Sequence, residues 1–103
     1  MQCEIGVYGL GVMGAGIAKN MLVHGFKTAV YSVSQEERKR FETDGYAETC
    51  KVCGTEEELI QSLARPRKIF LMITAGGPVD AVLSSLVPAL EPGDVIFDGG
   101  NSY

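Results

Sequence analysis

The sequence predicts an α/β fold, a doubly wound parallel sheet of about five strands with helices on both faces. Three observations predict it. Short apolar runs alternate with amphipathic helical stretches along all 103 residues. A glycine cluster stands where the first apolar run meets the first helical stretch. The run from Lys68 to Ile73 (KIFLMI) is continuously apolar after its first residue, as strands buried on both faces are.

Ile5 to Tyr8 reads as the first strand. Val12 to His24 has helical spacing, with Met13, Ile17, Met21 and Leu22 able to share a face. Gly25 stands where a helix-ending glycine belongs. Thr28 to Tyr31 is the second strand, and Ser34 to Phe41 a polar helix. Ser34 and Glu37 have capping-box spacing, in which the hydroxyl takes a free amide and the carboxylate reaches back. Lys51 to Cys53 is a short strand candidate. Thr55 and Glu58 repeat the capping-box spacing ahead of Leu59, Ile60 and Leu63, and Glu56 to Glu58 suit the positive end of that helix. Lys68 to Ile73 is the fourth strand. Pro78 suits a first helical turn, and Val79 to Leu90 is helical. Val95 to Phe97 is the fifth strand, with Asp98-Gly-Gly-Asn-Ser-Tyr103 directly after it. Strand–helix alternation of this kind implies right-handed parallel crossovers.

Composition bounds the function. With 46% hydrophobic and 21% charged residues the chain is expected to be one globular domain, residues 1–103, large enough to bury a core. Nine Lys+Arg against 13 Asp+Glu give a net charge of −4, which argues against a nucleic-acid partner. No apolar run approaches the ~20 residues of a membrane helix. The N-terminus has no basic stretch ahead of its apolar run, so no signal peptide is expected. Three cysteines, Cys3, Cys50 and Cys53, suggest free thiols in a reducing compartment, hence a cytoplasmic protein.

Gly9-Leu10-Gly11-Val12-Met13-Gly14 matches G-x-G-x-x-G, follows a strand and opens a helix. That is the setting of a Rossmann-like dinucleotide-binding turn. Gly9 permits the tight turn, Gly11 leaves room for a pyrophosphate, and Gly14 lets helix and strand approach. Free amides at the helix start then face the phosphates. The alternative is a tight turn with no ligand. An acid about 20 residues past the first glycine would mark NAD, and a nearby Arg NADP. Neither marker is present in Val30-Tyr31-Ser32-Val33-Ser34. Ser32 and Ser34 suit either a hydroxyl or a phosphate. Arg38, Lys39 and Arg40 follow about a turn later, with Glu36 and Glu37 opposing them, and a solvated helix face is the alternative use of that basic run.

Gly9 to Gly14, then Lys19-Asn-Met, His24-Gly-Phe26, Arg65-Pro-Arg-Lys68 and Asp98-Gly-Gly-Asn-Ser102, taken in order over essentially the whole chain, resemble 6-phosphogluconate dehydrogenase. The glycine region is shared with the wider β-hydroxyacid dehydrogenases; the last two segments are more specific. The resemblance implies oxidative decarboxylation of 6-phosphogluconate, a sugar-phosphate substrate, to ribulose 5-phosphate in the pentose phosphate pathway. It implies NADP as cofactor. By position it places Gly9, Leu10, Gly11, Val12, Met13 and Gly14 on the pyrophosphate, and Ser32, Val33 and Ser34 beside the adenosine ribose. Ile73, Thr74 and Ala75 would lie along the cofactor, and Asn101 near the nicotinamide. Asn101 and Ser102 would touch substrate.

Three departures stand out. The family usually has Ala at Gly11, Asn-Arg-Ser/Thr at Ser32-Val33-Ser34, and Lys at Thr74. The missing guanidinium at Val33 opens the way to NAD. The family's catalytic Lys and Glu, and the helical domain that makes its homodimer, are expected downstream of Tyr103. No catalytic residue is therefore expected in this chain, which by itself is expected to be inactive. The alternatives are the cofactor domain of a sister enzyme of 3-hydroxyisobutyrate type, or a non-enzymatic nucleotide-binding module.

Cys50-Lys-Val-Cys53 is a C-x-x-C, but a zinc site needs about four ligands, and the chain adds only Cys3 and His24. Its cysteines straddle a strand and should point to opposite faces, one buried and one exposed. His24 suits a helix C-terminus rather than catalysis. Asp98 is read as a polar residue just past a strand.

Overall fold

The computed structural model describes residues 2–43, 50–72 and 77–98. Their elements follow the expected alternation: β1 Ile5–Tyr8, α1 Val12–Val23, β2 Thr28–Tyr31, α2 Gln35–Thr43, β3 Cys50–Val52, α3 Glu56–Gln61, β4 Lys68–Leu71, α4 Gly77–Leu86 and β5 Val95–Asp98. The five strands form one parallel sheet in the order β3-β2-β1-β4-β5. The order reverses between β1 and β4: the chain leaves β1 through α1 toward β2 and returns from β3 through α3 to β4 on the other side, which opens a crevice above the carboxyl end of β1.

Side chains alternate along each strand, so each strand feeds two cores. Val7, Val30, Cys50 and Met72 meet Ala18 and Leu22 of α1 and Phe41 of α2 on one face. Tyr8, Ala29, Ile69, Leu71 and Cys53 meet Leu59, Ile60 and Leu63 at α3 and Leu86 of α4 on the other. The outer strand β5 contributes Ile96 to the second core. On the α1 face it leaves Val95 and Phe97 partly exposed, with Phe97 stacked on Phe70 at 4.9 Å.

Local chemistry sets the boundaries. His24 caps α1: its Nδ1 donates to the Asn20 carbonyl at 2.8 Å, as its place at the negative end of the helix suggests. The amides of Gly25 and Phe26 return to the Leu22 and Met21 carbonyls at 3.0 Å, and Gly25 takes the positive φ of +89° that such an ending requires. Ser34 Oγ accepts the Glu37 amide at 3.2 Å, and Thr55 Oγ1 the Glu58 amide at 3.1 Å. The reciprocal halves of both capping boxes differ from expectation. Glu58 Oε1 accepts from the Gly54 amide at 2.9 Å, one residue before the cap. Glu37 accepts from the Ser32 hydroxyl.

Further expectations are corrected. The helix expected to Leu90 ends at Leu86 and continues as a 3₁₀ turn, Val87–Ala89, because Pro88 has no amide to donate and restricts Val87. The third strand begins at Cys50 rather than Lys51, and Asp98 is the last residue of β5, paired with Leu71, rather than a residue beyond it. Met13 is exposed; the buried stripe of α1 is Gly14, Ala18 and Leu22, small residues that let the helix lie close to the sheet. Cys50 and Cys53 do face opposite cores, but both are buried, because helices cover both faces of the sheet. The apolar run of β4 is buried at Ile69 and Leu71 and only half-buried at Phe70. Ile73 and Thr74 to Gly76 lie outside the described residues.

Away from the crevice, at the opposite end of the sheet, Arg67 and Asp94 form a buried ion pair. The Arg67 amide donates to Asp94 Oδ1 at 2.6 Å and its guanidinium to Oδ2 at 3.1 Å, while Arg67 Nε donates to the Ile60 carbonyl at 3.1 Å. The pair fastens the end of α3 to the start of β4 and the turn before β5. Burial opposes ionisation of Asp94, but hydrogen bonds from the Glu91 and Arg67 amides and from the guanidinium outweigh it, and its carboxyl is held below the ordinary value.

Candidate dinucleotide site

The crevice is built on the turn Gly9 to Gly14. The Tyr8 carbonyl accepts from Met72 of the β4 side, and the Gly9 amide donates to the Tyr31 carbonyl of β2, both at 2.7 Å. The turn is thus pinned from both neighbouring strands where the strand order reverses. Gly9 has φ +106°, a conformation that side-chain-bearing residues rarely adopt. Gly14 faces the Gly9 carbonyl so closely that a Cβ would stand 1.9 Å from its oxygen, so this glycine is required by helix–strand packing.

Gly11 answers whether the turn has room for a ligand. It precedes α1, and a Cβ there would meet only Glu37 Oε2, at 3.9 Å. No side chain caps α1 at Gly11. The first intrahelical bond is that of Ala15 to the Gly11 carbonyl, so the first-turn amides of Val12, Met13 and Gly14 have no partner within the helix. Open backbone, unpartnered amides and the positive end of the α1 dipole suit a diphosphate. A cleft of about 280 Å³ adjoins the turn, lined by Leu10, Gly11, Val12, Glu37, Arg40 and others.

The β2–α2 loop reaches the same place. Ser32 is buried at 2% exposure and its hydroxyl donates to Glu37 Oε1. Val33 is exposed and Ser34 caps α2. Arg38 turns back: its guanidinium donates to the Ser32 carbonyl and lies over the Tyr31 ring at 5.7 Å. The fold therefore brings Gly9 to Gly14 together with Ser32, Val33 and Ser34. Ile73, Thr74, Ala75, Asn101 and Ser102 lie outside the described residues.

The sequence sets Glu37 against the basic run of α2; its place beside Gly11 is not legible there. Its capping-box spacing was visible, yet that pattern points the carboxylate at the backbone, not at the glycine turn. Tyr8, at the end of β1, is buried and donates to Glu56 at 2.7 Å; burial and that carboxylate push its hydroxyl well above the usual range. It serves the core, 5.1 Å edge-to-face from Tyr31.

The thiols are equally structural. Burial pushes Cys50 up to about 12 and Cys53 up to about 11, and raises Cys3. Such thiols are poor nucleophiles and poor metal ligands. Among the described residues no three His, Cys, Asp or Glu side chains gather to hold a metal, and no helix is long and apolar enough to cross a membrane.

Comparison with known proteins agrees with this architecture. A family profile described as the NAD binding domain of 6-phosphogluconate dehydrogenase matches residues 4–103. The chain is 52% identical, over its whole length, to the decarboxylating 6-phosphogluconate dehydrogenase of Bacillus licheniformis, of which it covers 22%. It is 50% identical over 97% of its length to the NAD(+)-dependent decarboxylating enzyme of Bacillus subtilis, covering 21% of that protein. The solved 6-phosphogluconate dehydrogenase of Plasmodium falciparum, described in apo form and with NADP+ or 6-phosphogluconate, superposes with a TM-score of 0.89. Its identity is 38%, over 98% of this chain and 22% of that one. The chain spans about a fifth of the length of the curated relatives it matches. It belongs to the family of NAD-binding domains of 6-phosphogluconate dehydrogenase.

Proposed function

We propose that this chain is the dinucleotide-binding part of an enzyme that oxidatively decarboxylates 6-phosphogluconate to ribulose 5-phosphate and carbon dioxide. The observation that carries the proposal is the open glycine turn at the reversal of strand order, in a chain 52% identical end to end to such an enzyme. A bound nicotinamide cofactor supplies the hydride acceptor. This chain's residues bind and orient it. Amides of Val12 to Gly14 hold the diphosphate at the positive end of α1, with the side-chain-free surface of Gly11 against it. Ser32, Val33 and Ser34 flank the adenosine ribose. The family resemblance assigns Ile73, Thr74 and Ala75 to the cofactor. It assigns Asn101 to the nicotinamide and, with Ser102, to the substrate, and an Asn amide can both donate and accept toward hydroxyls.

No group of this chain is assigned chemistry on the substrate, and a homodimer is the assembly that reading implies. No nucleic-acid partner is proposed, given the net charge of −4. Three buried free thiols favour the cytoplasm. Calorimetric titration of the chain with NAD+ and with NADP+ tests the reading. Saturable one-to-one binding of either, weakened by Gly11→Val, supports it; absence of binding by both overturns it.

A further inference from the structure

The geometry points to Glu37 as the residue that makes this crevice select NAD+ over NADP+, an inference that rests on the dinucleotide reading of the glycine turn. Dinucleotide sites of this fold that take NAD+ present a carboxylate to the ribose hydroxyls, ordinarily from the end of the second strand. In this chain that strand ends at Tyr31, Ser32 follows it, and no acid is there. The structure delivers one by another route, from the first turn of α2.

Two bonds hold it. The Ser32 hydroxyl, itself almost fully buried, donates to Glu37 Oε1. The Glu37 amide donates to Ser34 Oγ at 3.2 Å, which fixes the helix start beneath it. Oε2 stands 3.9 Å from the place a Cβ would take on Gly11, beside the pyrophosphate turn. Ser32 therefore acts as the positioning residue and Glu37 as the acceptor. A carboxylate there accepts from the vicinal hydroxyls of an adenosine ribose. A 2′-phosphate in their place would bring about −1.5 to −2 charge against it.

The basic side chain that follows Glu37 is already engaged. Arg38 is committed to the Ser32 carbonyl and the Tyr31 ring. Arg40 and Lys19 line the same cleft as Gly11 and Glu37, and are the cations a 2′-phosphate would have to recruit against that carboxylate. Val33 offers no charge.

The test is calorimetric titration of the chain and its variants with NAD+ and NADP+, folding being checked by circular dichroism. NAD+ is expected to bind at least about tenfold more tightly, the worth of one charge-assisted hydrogen bond. Glu37→Gln removes the charge and is expected to bring the two affinities within about threefold. Ser32→Ala, which frees the carboxylate, is expected to narrow the ratio in the same direction. Glu36→Gln, the same change on the exposed neighbour, leaves the ratio unaltered. Tighter binding of NADP+ by the unmodified chain, or an unchanged ratio in folded Glu37→Gln, overturns the role of Glu37 and leaves the dinucleotide reading intact. Binding of neither nucleotide to the unmodified chain overturns that reading instead.

Discussion

Gly14→Ala and Gly16→Ala are the same chemical change two residues apart on α1, and the structure assigns them opposite signs. At Gly14 the added Cβ would stand 1.9 Å from the Gly9 carbonyl oxygen and 3.2 Å from Met72 Cβ. Side-chain carbons are essentially never found closer than 3.0 Å, so the helix and the turn must separate by 3.0 − 1.9, about 1.1 Å. The obstacle is backbone, pinned to β2 by the Gly9 amide, and cannot swing aside as a side-chain tip would. Overpacking of this kind reaches about 3 kcal/mol. The better helix propensity of Ala returns about 1 kcal/mol. The expected net loss is about 2 kcal/mol, a fall in Tm of about 10 °C for a domain near 100 residues. At Gly16 nothing lies within 4 Å of the added carbon, so only the propensity gain of about 1 kcal/mol remains, and Tm rises by about 4–8 °C. Urea denaturation followed by circular dichroism reads both. A Gly14→Ala chain as stable as the unmodified one, or equal losses for the two variants, would show that α1 is not seated on the Gly9 carbonyl as described.

Other perturbations test other parts of the molecule. Asp94→Ala leaves the Arg67 guanidinium buried without its partner and is expected to cost about 3–5 kcal/mol in denaturant titrations, whereas Arg65→Ala, which breaks an exposed pair with Glu91, costs under about 1 kcal/mol. Because the folded carboxyl of Asp94 titrates below its unfolded value, near 3.8, its contribution is present above that pH and is lost as pH falls through the depressed folded value; thermal melts below pH 4 report it. The buried thiols act at the other end of the scale. Their folded values lie above the unfolded 9.0, so their contribution is complete below pH 9 and is lost as pH rises toward 11 and 12, which melts in alkaline buffer would reveal. All three thiols are expected to resist alkylation at neutral pH until the chain is unfolded; rapid modification of Cys50 or Cys53 in the native state would contradict their burial.

Much of the fold was legible in the sequence because its signals are local. Apolar runs of strand length, helical spacing and glycine or serine punctuation are set by backbone geometry within a few residues. Thus Ile5–Tyr8, Thr28–Tyr31 and the end of α1 at His24 and Gly25 were placed to within a residue. The roles of Gly9, Gly11 and Gly14 were separable for the same reason: each follows from a position within a strand–turn–helix unit.

What the sequence could not contain is which distant groups meet. Strand order β3-β2-β1-β4-β5 arises from how the crossovers pack, and it alone opens the crevice above β1. Period-two alternation put Cys50 and Cys53 on opposite faces, but helices over both faces bury both. Met13 fits a helical stripe, yet the close seating of α1 through Gly14 and Ala18 turns it outward. Arg67 finds Asp94 across 27 positions, and Glu37 reaches Gly11 through Ser32. Spacing along the chain is enough to set the local elements and the turn that suits a diphosphate. Which carboxylate stands beside that turn is set by the folded arrangement, because proximity between elements depends on sheet order and packing.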